Sequence, residues 1–124
     1  MAARPRILVV DDDEAVLEFL RAKIGSRYEV ISTVAPQKVI ELARENEPQL
    51  ILCDLDMPHM NGGEVSAAIF ADEELRHIPL VFLTGVVTPG DIKRLQGLIG
   101  GRPAIPKSAP LADLIARIEA MLQA

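Results

Sequence analysis

Acidic residues gather where apolar runs end. The run Ile7 to Val10 is followed by Asp11, Asp12 and Asp13, and the run Leu50 to Cys53 by Asp54 and then Asp56. The run Leu80 to Leu83 ends at Thr84, and the short pair Ala104-Ile105 precedes Lys107. Carboxylates brought together repel unless a cation neutralises them, and oxygen-only ligands suit a hard ion such as Mg²⁺. That ion keeps waters and takes one or two carboxylates plus phosphate oxygens, so the set favours phosphoryl chemistry over a closed structural site. Asp54, alone after the central run, is the natural nucleophile. The Lys107 ammonium and the Thr84 hydroxyl are candidates to bind phosphoryl oxygens, where charge-assisted bonds are stronger than neutral ones.

These residues meet only if the runs are strands of one sheet. Short apolar runs alternate with stretches of helical period, the pattern of βαβ units building a parallel sheet, whose ligands bind beyond the carboxyl ends of the strands. Ile7–Val10, Leu50–Cys53 and Leu80–Leu83 are continuous apolar runs, as expected of central strands covered on both faces. Tyr28–Val34 is mixed and Ala104-Ile105 very short, which predicts two edge strands. Val16, Leu17, Leu20 and Ile24 share one helix face, as do Leu111, Leu114, Ile115, Ile118, Met121 and Leu122. Pro36 and Pro110 mark the starts of the second and last helices, because a first-turn proline loses no intrahelical bond. A third helix is expected over Gly63–Ala71 and a fourth over Pro89–Ile99, weakened by Gly97 and closed by Gly100 and Gly101.

Composition narrows the function. With 124 residues, 49% apolar and 25% charged, the chain reads as a single folded domain over residues 1–124. The net charge of -5 and the lack of a basic stripe argue against direct nucleic-acid binding. Cys53 is the only cysteine, which excludes an internal disulfide and any multi-cysteine metal site and fits a reducing cytoplasm. No apolar run reaches the roughly 18 residues of a membrane span, and the start from Met1 to Arg6 has no signal-type apolar region. The expectation is a cytoplasmic chain without a membrane partner. His59 and His77 lack His or Cys partners at metal spacing and read as turn or surface residues. An isolated acidic run is most often a solvated helix start, and Asp13 fits that role; Asp11 and Asp12 gain weight from Asp54 at a neighbouring strand end.

Four separated segments, running from Ile7 to Leu122, resemble response-regulator receiver domains of the chemotaxis-regulator type, found in two-component signal transduction. ILVVDDD (Ile7–Asp13) is similar to the family's acidic first loop, LILCDLDMPHMNG (Leu50–Gly62) to its phosphoacceptor loop, and IPLVFLTG (Ile78–Gly85) to the strand ending in its signalling Thr; Lys107 stands in the place of its pocket lysine. The resemblance implies a flavodoxin-like, doubly wound, five-stranded parallel sheet in the order 2-1-3-4-5, with five helices in three layers. It implies phosphorylation of Asp54 by a sensor histidine kinase or phosphotransfer protein. It further implies Mg²⁺ at Asp11, Asp12 and Asp54, with Asp12 a direct ligand and Asp56 offering its backbone carbonyl. Signalling then runs through conformational change to an output domain, a downstream protein or a second copy of the chain, and the module is not an enzyme beyond self-catalysed phosphotransfer and dephosphorylation.

This chain departs from the family pattern at three places. Ser108 follows the lysine where proline is usual, with Pro106 before it, and Ala104 stands where the family places the Tyr or Phe that switches with the Thr. Asp56 adds a carboxylate where dephosphorylation is tuned, able to reach the metal, position water or repel it. The alternatives are a degenerate receiver that binds protein without phosphorylation and a haloacid-dehalogenase-type phosphatase, which shares the D-x-D motif but carries it after its first strand. A flavin binder would need Ser, Thr or Gly in place of the first three aspartates.

Overall fold

In the computed structural model, residues 4–55, 57–58, 60–85, 98–99 and 102–123 are described. The strands are β1 (Arg6–Val10), β2 (Glu29–Thr33), β3 (Leu50–Asp54), β4 (Leu80–Thr84), β5 (Leu98–Ile99) and β6 (Arg102–Pro106). The helices are α1 (Glu14–Ile24), α2 (Val39–Asn46), α3 (Gly62–Ala71) and α4 (Leu111–Leu122). One sheet carries the strands in the order β2-β1-β3-β4-β6-β5. The first five are parallel, which is the expected 2-1-3-4-5 order of the five main strands.

Alternation along each strand divides the core between two faces. Leu8, Val10, Ile51, Cys53, Leu80, Phe82 and Ala104 pack with Val39 and Ala43 of α2 and Val65 and Ile69 of α3. Ile7, Val9, Leu50, Leu52, Val81, Leu83 and Ile105 pack with Leu17, Leu20 and Ile24 of α1 and Leu114 and Ile118 of α4. This is the three-layer arrangement that continuous apolar strands require. All residues of β3 and β4 are buried, whereas β2 is half-exposed, as its mixed sequence demands.

Local signals set the helix starts. Asp13 caps α1 by accepting from the Ala15 N–H at 2.9 Å. Asn61 and Glu64 cap α3 reciprocally, with bonds of 2.9 and 3.4 Å. Pro36 opens a 3₁₀ turn over Pro36–Lys38 that leads into α2, and Pro110 is the N-cap of α4. Glu47 ends α2 in the left-handed conformation, with φ of 49°.

Two expectations are corrected at the far edge. The helix read over Pro89–Ile99 does not extend to Ile99: Leu98 and Ile99 form β5, pairing antiparallel with Pro103 and Arg102. Residues 89–97 of that segment lie outside the described residues. Gly100 and Gly101, read as a helix stop, lie outside the described residues. Ala104-Ile105 belongs to a five-residue strand that is not the edge, because β5 covers its outer side.

Candidate functional site

Parallel strands place their last residues at one end of the sheet. Asp11 follows β1, Asp54 ends β3, Thr84 ends β4 and Lys107 follows β6. The register fixes their mutual height: Val10 pairs with Cys53, Asp54 with Leu83, and Thr84 with Pro106. The Lys107 N–H donates to the Thr84 carbonyl at 2.8 Å, so the backbone of β4 holds the lysine in place. Asp11 and Asp54 are 1% and 5% exposed and Thr84 fully buried, although these are polar groups in a strand-end crevice. Asp12 is exposed at the rim.

The buried charges are arranged around one ammonium. Lys107 Nζ lies 2.7 Å from Asp11 Oδ2 and 3.5 Å from Asp54 Oδ1. Asp11 Oδ1 accepts the Asp13 N–H at 2.9 Å, which turns the other oxygen toward the lysine. That Oδ2 is buried and accepts no aligned hydrogen bond among the described residues. Burial alone would lower the Lys107 pKa, but the carboxylates of Asp11 and then Asp54 outweigh it and hold the ammonium above its ordinary value. Cys53, adjoining Asp54, is pushed up to about 12 by burial first and by the charges of Asp54 and Asp11 second, so its thiol is inert at neutral pH.

Ligand oxygens of Asp11, Asp12 and Asp54 lie within 4.8 Å of one another. An all-oxygen donor set, in which two buried carboxylates share a single ammonium, fits a hard divalent ion such as Mg²⁺. The carboxylates outnumber the one ammonium among the described residues, so a cation relieves repulsion there. Of the expected residues, the structure brings together Asp11, Asp12, Asp54, Thr84 and Lys107; Asp56 lies outside the described residues, as does His59. His77 is exposed. Ala104 is buried in the core cluster that includes Met57, Val65 and Phe82, a small residue where the switching aromatic of the family would stand.

One contributor escapes the turn reading of Asn61-Gly62. Gly62 is buried at the start of α3, and its N–H donates to the Leu55 carbonyl at 2.9 Å, tying the loop after Asp54 to the helix. Met57 is likewise buried, pinning the D-x-x-M-P segment into the core.

Comparison with known proteins agrees with this fold. The chemotaxis protein CheY4 of Vibrio cholerae superposes with a TM-score of 0.80 over 96% of this chain and 99% of its own at 20% identity, and so has the same fold. The N-terminal domain of a response regulator receiver protein from Methanoculleus marisnigri gives 0.69 over 93% and 94% at 27% identity. The polar-differentiation response regulator DivK of Brucella ovis is 38% identical over 91 residues, 73% of this chain and 74% of that protein. The family model described as "Response regulator receiver domain" matches residues 7–119. A match of that extent decides against the phosphatase and flavin-binder alternatives: the chain belongs to the response regulator receiver domains, the signalling modules of two-component systems.

Proposed function

We propose that Asp54 is the phosphoacceptor of this receiver domain and takes its phosphoryl group from a phosphohistidine of a sensor histidine kinase or phosphotransfer protein. An Asp54 carboxylate oxygen forms a bond to phosphorus as the phosphorus–nitrogen bond breaks, and the electron pair leaves on the imidazole. Lys107 binds the phosphoryl oxygens after exchanging its contact with Asp11, and the Thr84 hydroxyl donates its O–H to the same group from the neighbouring strand end. Asp11, Asp12 and Asp54, with the Asp56 backbone carbonyl, would hold Mg²⁺, which supplies neutralisation of the charge on the transferring group. The acceptor then signals to an output domain, a downstream protein or a second copy of the chain. Among the described residues no helix is long and apolar enough to cross a membrane, and in this reading the module works in the cytoplasm beside its kinase.

The observation that carries the reading is one ammonium shared by two buried carboxylates at a crevice that a third carboxylate borders. Incubation with acetyl phosphate and Mg²⁺ should add one phosphoryl mass to the wild-type chain and none to Asp54→Asn. Equal labelling of the two would remove Asp54 from the role. No labelling of either would favour the degenerate receiver.

A further inference from the structure

Asp54 has a front and a back. Its carboxylate meets Lys107 in the crevice, while its backbone carbonyl points into the packing between β3 and α3. A Cβ on Gly62 would lie 2.5 Å from that carbonyl oxygen, 2.8 Å from Leu55 Cα and 3.1 Å from Phe82 Cε1. The first two contacts are with backbone, which cannot swing aside as a side chain can. Gly62 is an ordinary helical residue at the start of α3, so what it supplies is space rather than an unusual backbone angle. On the same oxygen, the Cys53 thiol approaches as a donor at 3.3 Å. The start of α3 cannot back away to make room, because the Asn61–Glu64 capping pair and the Gly62-to-Leu55 bond fix it to the loop.

We infer that Gly62 and Cys53 form a seat for the Asp54 carbonyl and are positioning residues that aim the phosphoacceptor carboxylate into the crevice. This rests on the phosphoacceptor reading of Asp54. With the start of α3 tied to the loop, adding a methyl at Gly62 must displace the Asp54–Leu55 backbone, and Asp54 belongs to β3, whose register with β1 and β4 sets the height of the carboxylate. A displacement of about 1 Å at a reacting group costs about a hundredfold in rate. A role confined to packing would instead lower stability and leave the rate of the folded chain untouched.

The neighbouring glycine provides a matched control. Among the described residues, a Cβ on Gly63 would meet only the Asn61 side chain, at 3.2 Å. The experiment compares wild type, Gly62→Ala and Gly63→Ala for labelling at saturating acetyl phosphate and Mg²⁺, with circular dichroism and urea unfolding reporting the folded fraction. Folded Gly62→Ala should label about 10- to 100-fold more slowly at saturation, and Gly63→Ala at the wild-type rate. A folded Gly62→Ala that labels as fast as wild type overturns the seat, as does equal slowing in both variants. Should Gly62→Ala not fold, the other wall of the seat decides: Cys53→Ala should slow labelling and Cys53→Ser, which keeps a donor, should restore it, whereas wild-type rates in both refute the inference. A wild-type chain that takes no label sinks the phosphoacceptor reading and the seat together; a labelled wild type beside an equally labelled Gly62→Ala sinks the seat alone.

Discussion

The two ends of the sheet hold charge in opposite ways. At the amino ends of the strands the ion pairs are open to water: Arg6–Glu29 at 3.1 Å has both side chains nearly half exposed, and Arg27–Glu119 at 3.6 Å is similar. Beside them the Tyr28 hydroxyl donates to Glu119 at 2.8 Å, tying the residue before β2 to α4. At the carboxyl ends, Asp11 and Asp54 are buried with one partly exposed ammonium between them. Exposed pairs of the first kind contribute little to stability, whereas a buried cluster with excess negative charge is costly unless a cation completes it. Among the described residues that cost is met at one end only, the end where parallel strands open a crevice.

The largest difference should come from removing the shared ammonium. Lys107→Met leaves Asp11 and Asp54 buried without it, and urea unfolding without Mg²⁺ should show a loss of about 2 to 4 kcal/mol, below the range for fully buried pairs because the lysine is partly exposed. Arg6→Met, breaking a pair at the other end, should cost about 0.5 kcal/mol or less. Equal losses would erase the contrast between the ends.

Next in size is the response to Mg²⁺. At ten times its dissociation constant the ion should stabilise the chain by about 1.4 kcal/mol through mass action, raising the thermal midpoint by a few degrees. Asp12→Ala should abolish most of the rise, since in the proposed site Asp12 would contribute a ligand without being buried. Tyr28→Phe, at the amino ends, should cost about 1 kcal/mol through its lost hydrogen bond and leave the Mg²⁺ response unchanged. A Mg²⁺ rise that survives in Asp12→Ala and disappears in Tyr28→Phe would place the ion at the wrong end of the sheet.

The smallest effect concerns alkaline pH. The Cys53 thiol ionises near 9 in the unfolded chain and at about 12 in the folded one, because burial and then the Asp54 and Asp11 charges favour its neutral form. The folded state therefore keeps a proton that the unfolded state has lost, so this contribution is complete below pH 9 and declines as pH rises toward 12. Cys53→Ala should flatten part of the decline in unfolding free energy over that window. An unchanged slope would mean that the thiol is not shielded as the packing implies.

Most of the carboxyl-end site was legible because each of its residues follows an apolar strand run, and strand ends of a parallel sheet converge whatever the intervening helices do. Asp11, Asp54, Thr84 and Lys107 could be picked out together on that rule, each gaining weight from the others at neighbouring strand ends. Gly62 could not, since its role depends on the approach of α3 to Asp54, and a distance of 2.5 Å between a hypothetical methyl and a carbonyl has no sequence period. The pairing of Leu98–Ile99 with β6 was missed for a related reason: Gly100-Gly101 is compatible with a helix stop and with a hairpin, and two-residue strands carry too little pattern to choose. The Tyr28–Glu119 bond joins residues 91 positions apart and was likewise beyond local reading.

The central claim is that the buried carboxylate at the end of β3, and no other acid around the crevice, receives the phosphoryl group. Borohydride reduces an aspartyl phosphate to homoserine, so treatment of the labelled chain followed by peptide mass mapping locates the acceptor directly. Homoserine at position 54 and at none of positions 11, 12, 13 or 56 is the predicted result. Conversion at any of those four, with position 54 left as aspartate, would contradict the account.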